Sequence, residues 1–375
     1  MTTKKKFVVL IEDDWEIMGN GLGNVADLQY LPALALMNIA DRYNAKVTFM
    51  VDVAHQLVLN QHLSHPDVRI QKTIWDETVL LMKERGFDVQ LHLHCQWIGA
   101  SFEAGHFFLG NNWNVGRCDP ADQQRLISDS IDYLQSLLRT RFPEYSVCAF
   151  KAGSWGLQPS TNLMSEFRKH NIRVVMGPRI GMKCPAQSLD YTQMEEAYRP
   201  YYPNPDDITK VSTKQEDVVI IPLQPYDPDL FTLSKYIYDR TMAKYRYKKR
   251  FPFYHSTSIP QKIRKLNPLK DKNLFRLGMR PYRTHLKIGN CTLPYLKKSF
   301  DTVIQTLRDI DGVGRLPILI ESHTKNFHNH YDDIEGFIAY IAEKYESEVE
   351  FSDVTSYCRE LHDDPSMVRV GNEDR

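Results

Sequence analysis

The sequence predicts a (β/α) barrel, regular or distorted, with a basic insertion. The first observation is that short apolar, β-branched runs alternate with amphipathic helical stretches along most of the 375 residues. This alternation is typical of parallel strands joined by crossover helices. The second is the count of seven or eight strands and at least six helices, which suits a barrel better than an open doubly wound sheet.

Each strand is predicted where an apolar run stands between polar or turn-forming residues, and each helix where apolar residues recur three or four positions apart. The predicted strands are residues 7–11, 47–53, 87–94, 147–151, 173–176, 218–223, 316–321 and 348–351. The predicted helices are residues 25–43, 70–85, 122–141, 160–170, 293–311 and 332–345. Residues 1–189 are therefore expected to form the first part of the barrel, and residues 291–375 its last part and a C-terminal tail.

Residues 190–290 interrupt the pattern and are expected to form an insertion rich in Pro, Tyr and basic residues. Residues 235–287 contain sixteen Lys or Arg and two acids, although the whole chain has 47 of each sign. Such a segment can bind phosphates or an anionic membrane surface, where each cation contributes about 1 kcal/mol. A solvated basic face is the alternative interpretation.

Composition excludes several other classes of protein. The balanced total charge disfavours a nucleic-acid-binding protein, and no apolar run reaches the length of a membrane span. The six cysteines are scattered without a CxxC motif, so neither a disulfide framework nor a zinc ribbon is indicated. We therefore expect a cytoplasmic protein, which could also lie peripherally at the inner face of a membrane.

Polar residues end the apolar runs at the places where a barrel carries its chemistry, the carboxyl ends of its strands. Asp13 and Asp14 end the first run, and adjacent carboxylates are tolerated where a metal or a shared proton offsets their repulsion. His92 and His94 end the third run, and a spacing of two on an extended backbone places both rings on one face, as a zinc site requires. Both motifs also have a purely structural explanation. The two acids could stand at the N-terminus of a helix, and the histidines could be hydrogen-bonded residues of the core.

Two further runs end in residues suited to catalysis. Lys151 ends the fourth run and is followed by small residues that let a ligand approach the backbone, although a tight turn would also explain the glycines. His323 follows the run that ends at Glu321 and can act as a general acid if it lies across the barrel mouth from the acids.

The order of these motifs resembles the polysaccharide deacetylase superfamily with the NodB homology domain, also called carbohydrate esterase family 4. The sequence segments LHLHCQW and FKAGSWG look most like those of its WbmS-type branch. In the family a second metal-binding histidine stands four residues after the first, where this chain has Gln96, so that His94 would replace it. The resemblance implies a distorted seven-stranded barrel of the deacetylase type and a divalent metal, expected to be zinc. It implies catalytic roles for Asp13 as base, Lys151 in place of an arginine that steadies the base, and His323 as acid, with Asp14, His92 and His94 as metal ligands.

The implied function is removal of an acyl group, such as acetyl, from an N-acylated sugar during the biosynthesis of a surface polysaccharide or a glycan precursor. The substrate would then be a glycan or a sugar linked to a lipid or a nucleotide, which the basic segment could attract. Two alternatives remain open. One is a glycosidase-like enzyme, for which adjacent carboxylates are poorly placed. The other is a catalytically inactive relative that binds glycans or lipid-linked precursors.

Overall fold

The main sheet consists of parallel strands that curve into a nearly closed barrel, as the sequence predicts. This computed structural model describes residues 5–103, 105–229, 232–238, 242, 284–289, 291–310, 314–327 and 330–372. The strands are β1 (Lys6–Trp15), β2 (Val47–Asp52), β3 (Asp88–Leu93), β4 (Ala149–Ala152), β5 (Val174–Arg179), β6 (Val219–Leu223), β7 (Arg315–Ser322) and β8 (Val349–Phe351). Seven of them follow the order β6-β5-β4-β3-β2-β1-β7. The eighth, β8, pairs with the first half of β1, and β2 pairs with its second half.

The gap in the barrel lies between β6 and β7, and a side chain bridges it. Gln224 directly follows β6, and its Nε2 donates a hydrogen bond to the carbonyl of Pro317, at 3.1 Å. Its Oε1 accepts from the backbone N–H of Leu319, at 3.0 Å. The amide of Gln224 thus satisfies the two backbone groups of β7 that a neighbouring strand would otherwise pair.

Helices cover the outside of the barrel and its lower end. In the described part of the chain all six predicted helices are present, and α2 and α8 are helices that were not predicted. α8 lies across the amino ends of the strands, where its Tyr357 and Leu361 pack with Val8 and Leu10 from the barrel interior. The helices are α1 (Leu31–Arg42), α2 (Val53–Gln61), α3 (Pro66–Glu84), α4 (Pro120–Leu138), α5 (Thr161–Lys169), α6 (Leu293–Arg308), α7 (Tyr331–Lys344) and α8 (Val354–Asp363).

Alternation along β1 decides which side chains enter the barrel. Val8 and Leu10 belong to the interior cluster, whereas Val9, Ile11 and Trp15 belong to the outer core beneath the helices. Because side chains alternate between the two faces of a strand, the even-numbered residues after Leu10 also face the interior. The lower part of the barrel is therefore apolar, and its upper part receives the acids of β1.

The range 190–290 was predicted as an insertion, but its first part belongs to the barrel. β6 lies within it, and short ribbons such as Pro203–Asn204 with Asp207–Val211 replace helices there, which explains the missing helical periodicity. Most of the basic stretch, including Lys248, Lys249 and Arg250, falls outside the described residues. At its end the chain returns beside β7, where the carbonyl of Leu286 accepts from the N–H of Glu321, at 3.0 Å.

In the part of the chain that the structure describes, no helix has both the length and the apolar character needed to cross a membrane.

Candidate active site

A cluster of acids and histidines fills the carboxyl end of the barrel interior. Glu16, His92 and His94 form its centre, and one ligand atom from each lies within 4.8 Å of the other two. Glu16 follows β1, His92 lies near the end of β3, and His94 directly follows β3 on the same interior face. All three side chains are buried. The arrangement brings two imidazoles and one carboxylate to a common point.

The ring orientation of each histidine is set by an acceptor on its Nδ1. The Nδ1–H of His92 donates to the backbone carbonyl of Lys151, at 3.0 Å, which leaves Nε2 without a proton. Among the described residues this buried Nε2 has no hydrogen-bond partner. The Nδ1 of His94 lies 3.0 Å from Oε1 of Gln96, and its Nε2 contacts the Glu16 carboxylate.

Burial and neighbouring charges set the ionisation of these three groups. Burial lowers the pKa of His92 to about 4, so its ring is neutral and has a lone pair on Nε2. Burial alone would raise the pKa of Glu16, but the charges of His94 and Lys325 outweigh it and hold that pKa well below its ordinary value. Glu16 in turn raises the pKa of His94 to about 9, against the effect of burial. This ring is therefore protonated at neutral pH, and a metal would bind its Nε2 with release of that proton. Two nitrogens and a carboxylate oxygen are a donor set that zinc accepts, and the unpaired Nε2 of His92 fits that assignment.

Asp14 and His323 form a second group with Glu16, again within 4.8 Å of one another. Nε2 of His323 lies 3.3 Å from the Asp14 carboxylate, and its Nδ1 lies 3.5 Å from Glu321. Burial lowers the pKa of His323, although the charges of Asp14 and Glu321 oppose the change. The side chain of His323 is 23% exposed, so it is more accessible than the acids around it. A ligand that enters the barrel mouth would meet this ring beside Asp14.

Lys151 lies below this group and is fully buried. Its Nζ is 2.6 Å from Glu12, 2.8 Å from Asp14 and 3.6 Å from Glu321. These three carboxylates raise the pKa of Lys151 even though burial opposes them. For Asp14 burial acts in the opposite direction and would raise the pKa. The charge of Lys151 outweighs burial and keeps the pKa of Asp14 below its ordinary value. Lys151 therefore keeps Asp14 ionised.

Asp13 stands apart from the cluster, on the opposite face of β1. Its carboxylate accepts a hydrogen bond from Oγ of Ser322, at 2.5 Å, and burial raises its pKa to about 7. Strand alternation is the reason, because Asp13 shares the parity of Ile11 and Trp15 rather than that of Asp14. The structure thus brings Asp14, His92, His94, Lys151 and His323 to one site and does not bring Asp13 there.

Several residues of the site were not assigned a role from the sequence. Glu16 contacts His94, and Lys325 places its Nζ 2.5 Å from the other oxygen of Glu16. The spacing of two from Asp14 is a signal that could have found Glu16. His285, from the end of the basic stretch, lies 3.3 Å from Glu321, and burial lowers its pKa to about 4. No sequence signal placed His285 here, because the chain around it lacks periodicity.

Comparison with known proteins supports the fold. No protein-family model and no curated protein matches the chain. Among solved structures, a Mycobacterium smegmatis protein assigned as a polysaccharide deacetylase aligns with a TM-score of 0.50 and 11% identity, over 100% of this chain and 96% of its own. At this identity the similarity shows the shared (β/α) barrel alone.

Two other solved structures align with TM-scores of 0.48. They are a 4-alpha-glucanotransferase from Thermococcus litoralis, at 12% identity, and the PuuE allantoinase, at 10% identity. Both alignments cover 95% of this chain, but they cover 40% of the glucanotransferase and 90% of the allantoinase. These similarities do not bear on the chemistry of this site.

Proposed function

We propose that this protein is a metal-dependent hydrolase that removes an acyl group from an N-acylated sugar. The observation that carries the proposal is the convergence of Glu16, His92 and His94 at the barrel mouth, with the unpaired Nε2 of His92 directed into a buried polar site. The motif order resembles that of polysaccharide deacetylases, and the barrel fold agrees with that resemblance.

We propose zinc as the ion and Glu16, His92 and His94 as its ligands. The sequence motif suggested Asp14 in place of Glu16, whereas in the structure Asp14 groups with Glu16 and His323 rather than with the two neighbouring histidines. Carboxylates outnumber lysines in the upper barrel, so a divalent cation would also reduce the repulsion among them. Once bound, the ion would supply Lewis acidity and a water that ionises near neutral pH.

The side chains around this position can perform the two proton transfers that amide hydrolysis needs. We assign the general base to Asp14, which Lys151 holds ionised and which faces the interior. His323 is the general acid that protonates the departing sugar amine. Its lowered pKa means that the ring starts without the extra proton, which it can receive from Asp14 after that carboxylate has taken it from the water, since Nε2 lies 3.3 Å away. Glu321 lies next to Nδ1 of His323 and favours the orientation in which Nε2 faces the reacting group.

The proposal is tested by hydrolysis of a small acetamido sugar together with metal analysis. We expect about one zinc per chain, loss of acetate release on chelation and its recovery when zinc is restored. His92→Ala should lose both the metal and turnover, because it removes a ligand. His362→Ala is the matched control, since this exposed histidine lies in the last turn of α8, at the other end of the barrel. Full zinc content in His92→Ala would contradict the assignment.

A non-enzymatic function is the second candidate, and the contact of Lys325 with Glu16 favours it. The ammonium group of Lys325 and the ring of His94 already contact both oxygens of Glu16, so the network is satisfied in part without an ion. A glycan- or lipid-precursor-binding relative could keep this arrangement. Such a protein would contain no zinc after purification in zinc-containing buffer and would release no acetate.

We also propose that the natural substrate is carried on an anionic lipid diphosphate or nucleotide. The charge of residues 235–287 supports this, as does the return of the chain beside β7 at the barrel mouth. Neutralising Lys248, Lys249 and Arg250 to Gln should weaken binding to anionic liposomes or to a diphosphate-linked glycan, and added salt should weaken wild-type binding. Hydrolysis of a small neutral acetamido sugar should not change. Equal binding by the triple variant and the wild type would contradict the proposal.

A further inference from the structure

Gln96 occupies the position at which the deacetylase motif has its second histidine. In the structure its side chain contacts His94 and Gly19. We propose that Gln96 is a positioning residue that fixes the proton of His94 on Nδ1, so that Nε2 is directed towards Glu16 and the metal position. This inference rests on the proposed metal site and extends it to a residue that does not bind the ion.

The orientation of the Gln96 amide is determined by its partners. Nε2 of Gln96 donates to the backbone carbonyl of Gly19, at 3.1 Å, and a carbonyl can only accept. The NH₂ group must therefore face Gly19, which turns Oε1 towards Nδ1 of His94, at 3.0 Å. Gln96 is 1% exposed, so water does not compete for either contact.

The tautomer of His94 follows from this orientation. Because Oε1 of Gln96 has no proton to give, Nδ1 of His94 must be the donor, and the lone pair of the neutral ring then resides on Nε2. Nδ1 of His92 is likewise a donor, to the backbone carbonyl of Lys151. Each ring thus has an acceptor for its Nδ1 proton. For His92 the acceptor is the main chain, and for His94 it is a side chain that mutation can replace.

The acceptor itself is held by two loops at the barrel mouth. Gln96 lies in a single helical turn, Cys95–Trp97, and its own carbonyl accepts from the N–H of Gly110, at 2.8 Å. Gly19 belongs to the loop that follows Glu16, and a Cβ on it would come within 3.1 Å of the Trp113 ring. Gln96 therefore connects the loop after β1, which carries Glu16, to the histidines of β3.

The test compares the zinc affinity of variants by competition with a chelator. Gln96→Leu keeps the volume but removes the acceptor, and we expect zinc to bind about 10- to 100-fold more weakly, as is typical when such a partner is lost. Gln96→Asn draws the amide back from His94 and should also lose affinity. Gln96→Glu still accepts from Nδ1–H, so its affinity should stay near that of the wild type. The glutamate no longer donates to Gly19, and its thermal stability should therefore fall.

Gln123→Leu is the matched control. This glutamine is similarly buried and donates to the carbonyls of Val115, Gly116 and Cys118, and it has no hydrogen bond to a histidine among the described residues. We expect it to lower the melting temperature without changing zinc affinity, which separates positioning from general stability. If Gln96→Leu and Gln96→Asn bind zinc as tightly as the wild type, the inference is wrong while the metal site stands. If the wild type itself binds no zinc, the proposed function fails first.

Discussion

Asp14→Asn should lower kcat for acetate release by about a hundred- to ten-thousandfold, the usual loss when a general base is removed. Asn has a similar shape but cannot accept the proton from the attacking water. The zinc content should stay close to that of the wild type, because the proposed ligands are Glu16, His92 and His94. The measurement is kcat together with the metal content of the same preparation.

Asp13→Asn provides the comparison, since Asp13 is the base that the sequence motif suggests. Its carboxylate bonds to Ser322 on the outer face of β1, and an asparagine there still offers an acceptor for that hydroxyl. We expect kcat to change by less than about threefold, far below the loss that general acid–base catalysis accounts for. If Asp13→Asn abolishes turnover and Asp14→Asn does not, the sequence-based assignment is right and ours is reversed.

Lys151→Met should destabilise the protein by about 3–5 kcal/mol, the range observed when one partner of a buried ion pair is removed. Methionine fills a similar volume but leaves Glu12, Asp14 and Glu321 close together without a compensating cation. The free energy of unfolding in urea measures this loss. Turnover should also fall, because Asp14 would no longer be held ionised.

An exposed lysine supplies the control for that measurement. Lys169 on α5 pairs with Glu166 at 3.5 Å, and its side chain is 51% exposed. Lys169→Met should change the free energy of unfolding by less than about 1 kcal/mol, because water screens exposed pairs. A Lys151→Met variant that is as stable as Lys169→Met would show that the buried network does not depend on its lysine.

The sequence predicted the barrel well because each strand has two sequence signals, an apolar run and a polar residue at the end of that run. The strand ending at His92 and His94 is an example, since the period of two also determined which face both rings share. The same rule, applied from Asp14 in both directions, separates Glu12 and Glu16 from Asp13. The family motif instead assigns the base to Asp13 and therefore disagrees with the strand alternation.

Other features could not be predicted because they depend on contacts between distant parts of the chain. α2 follows β2 directly, so no turn sequence within residues 47–58 separates the strand from the helix. Gln224 matters only because β6 and β7 end the sheet order and leave a gap between them. His285 and Glu321 are 36 positions apart and meet because the chain returns beside β7.

The location of a bound ion is the most direct test of the metal site. Crystals of the wild-type protein grown with zinc would be measured at the zinc absorption edge, where anomalous scattering identifies the ion. We predict one strong peak about 2.0–2.2 Å from Nε2 of His92, Nε2 of His94 and a carboxylate oxygen of Glu16. The contrary result is a barrel mouth without a peak, in which Lys325 and His94 still contact Glu16.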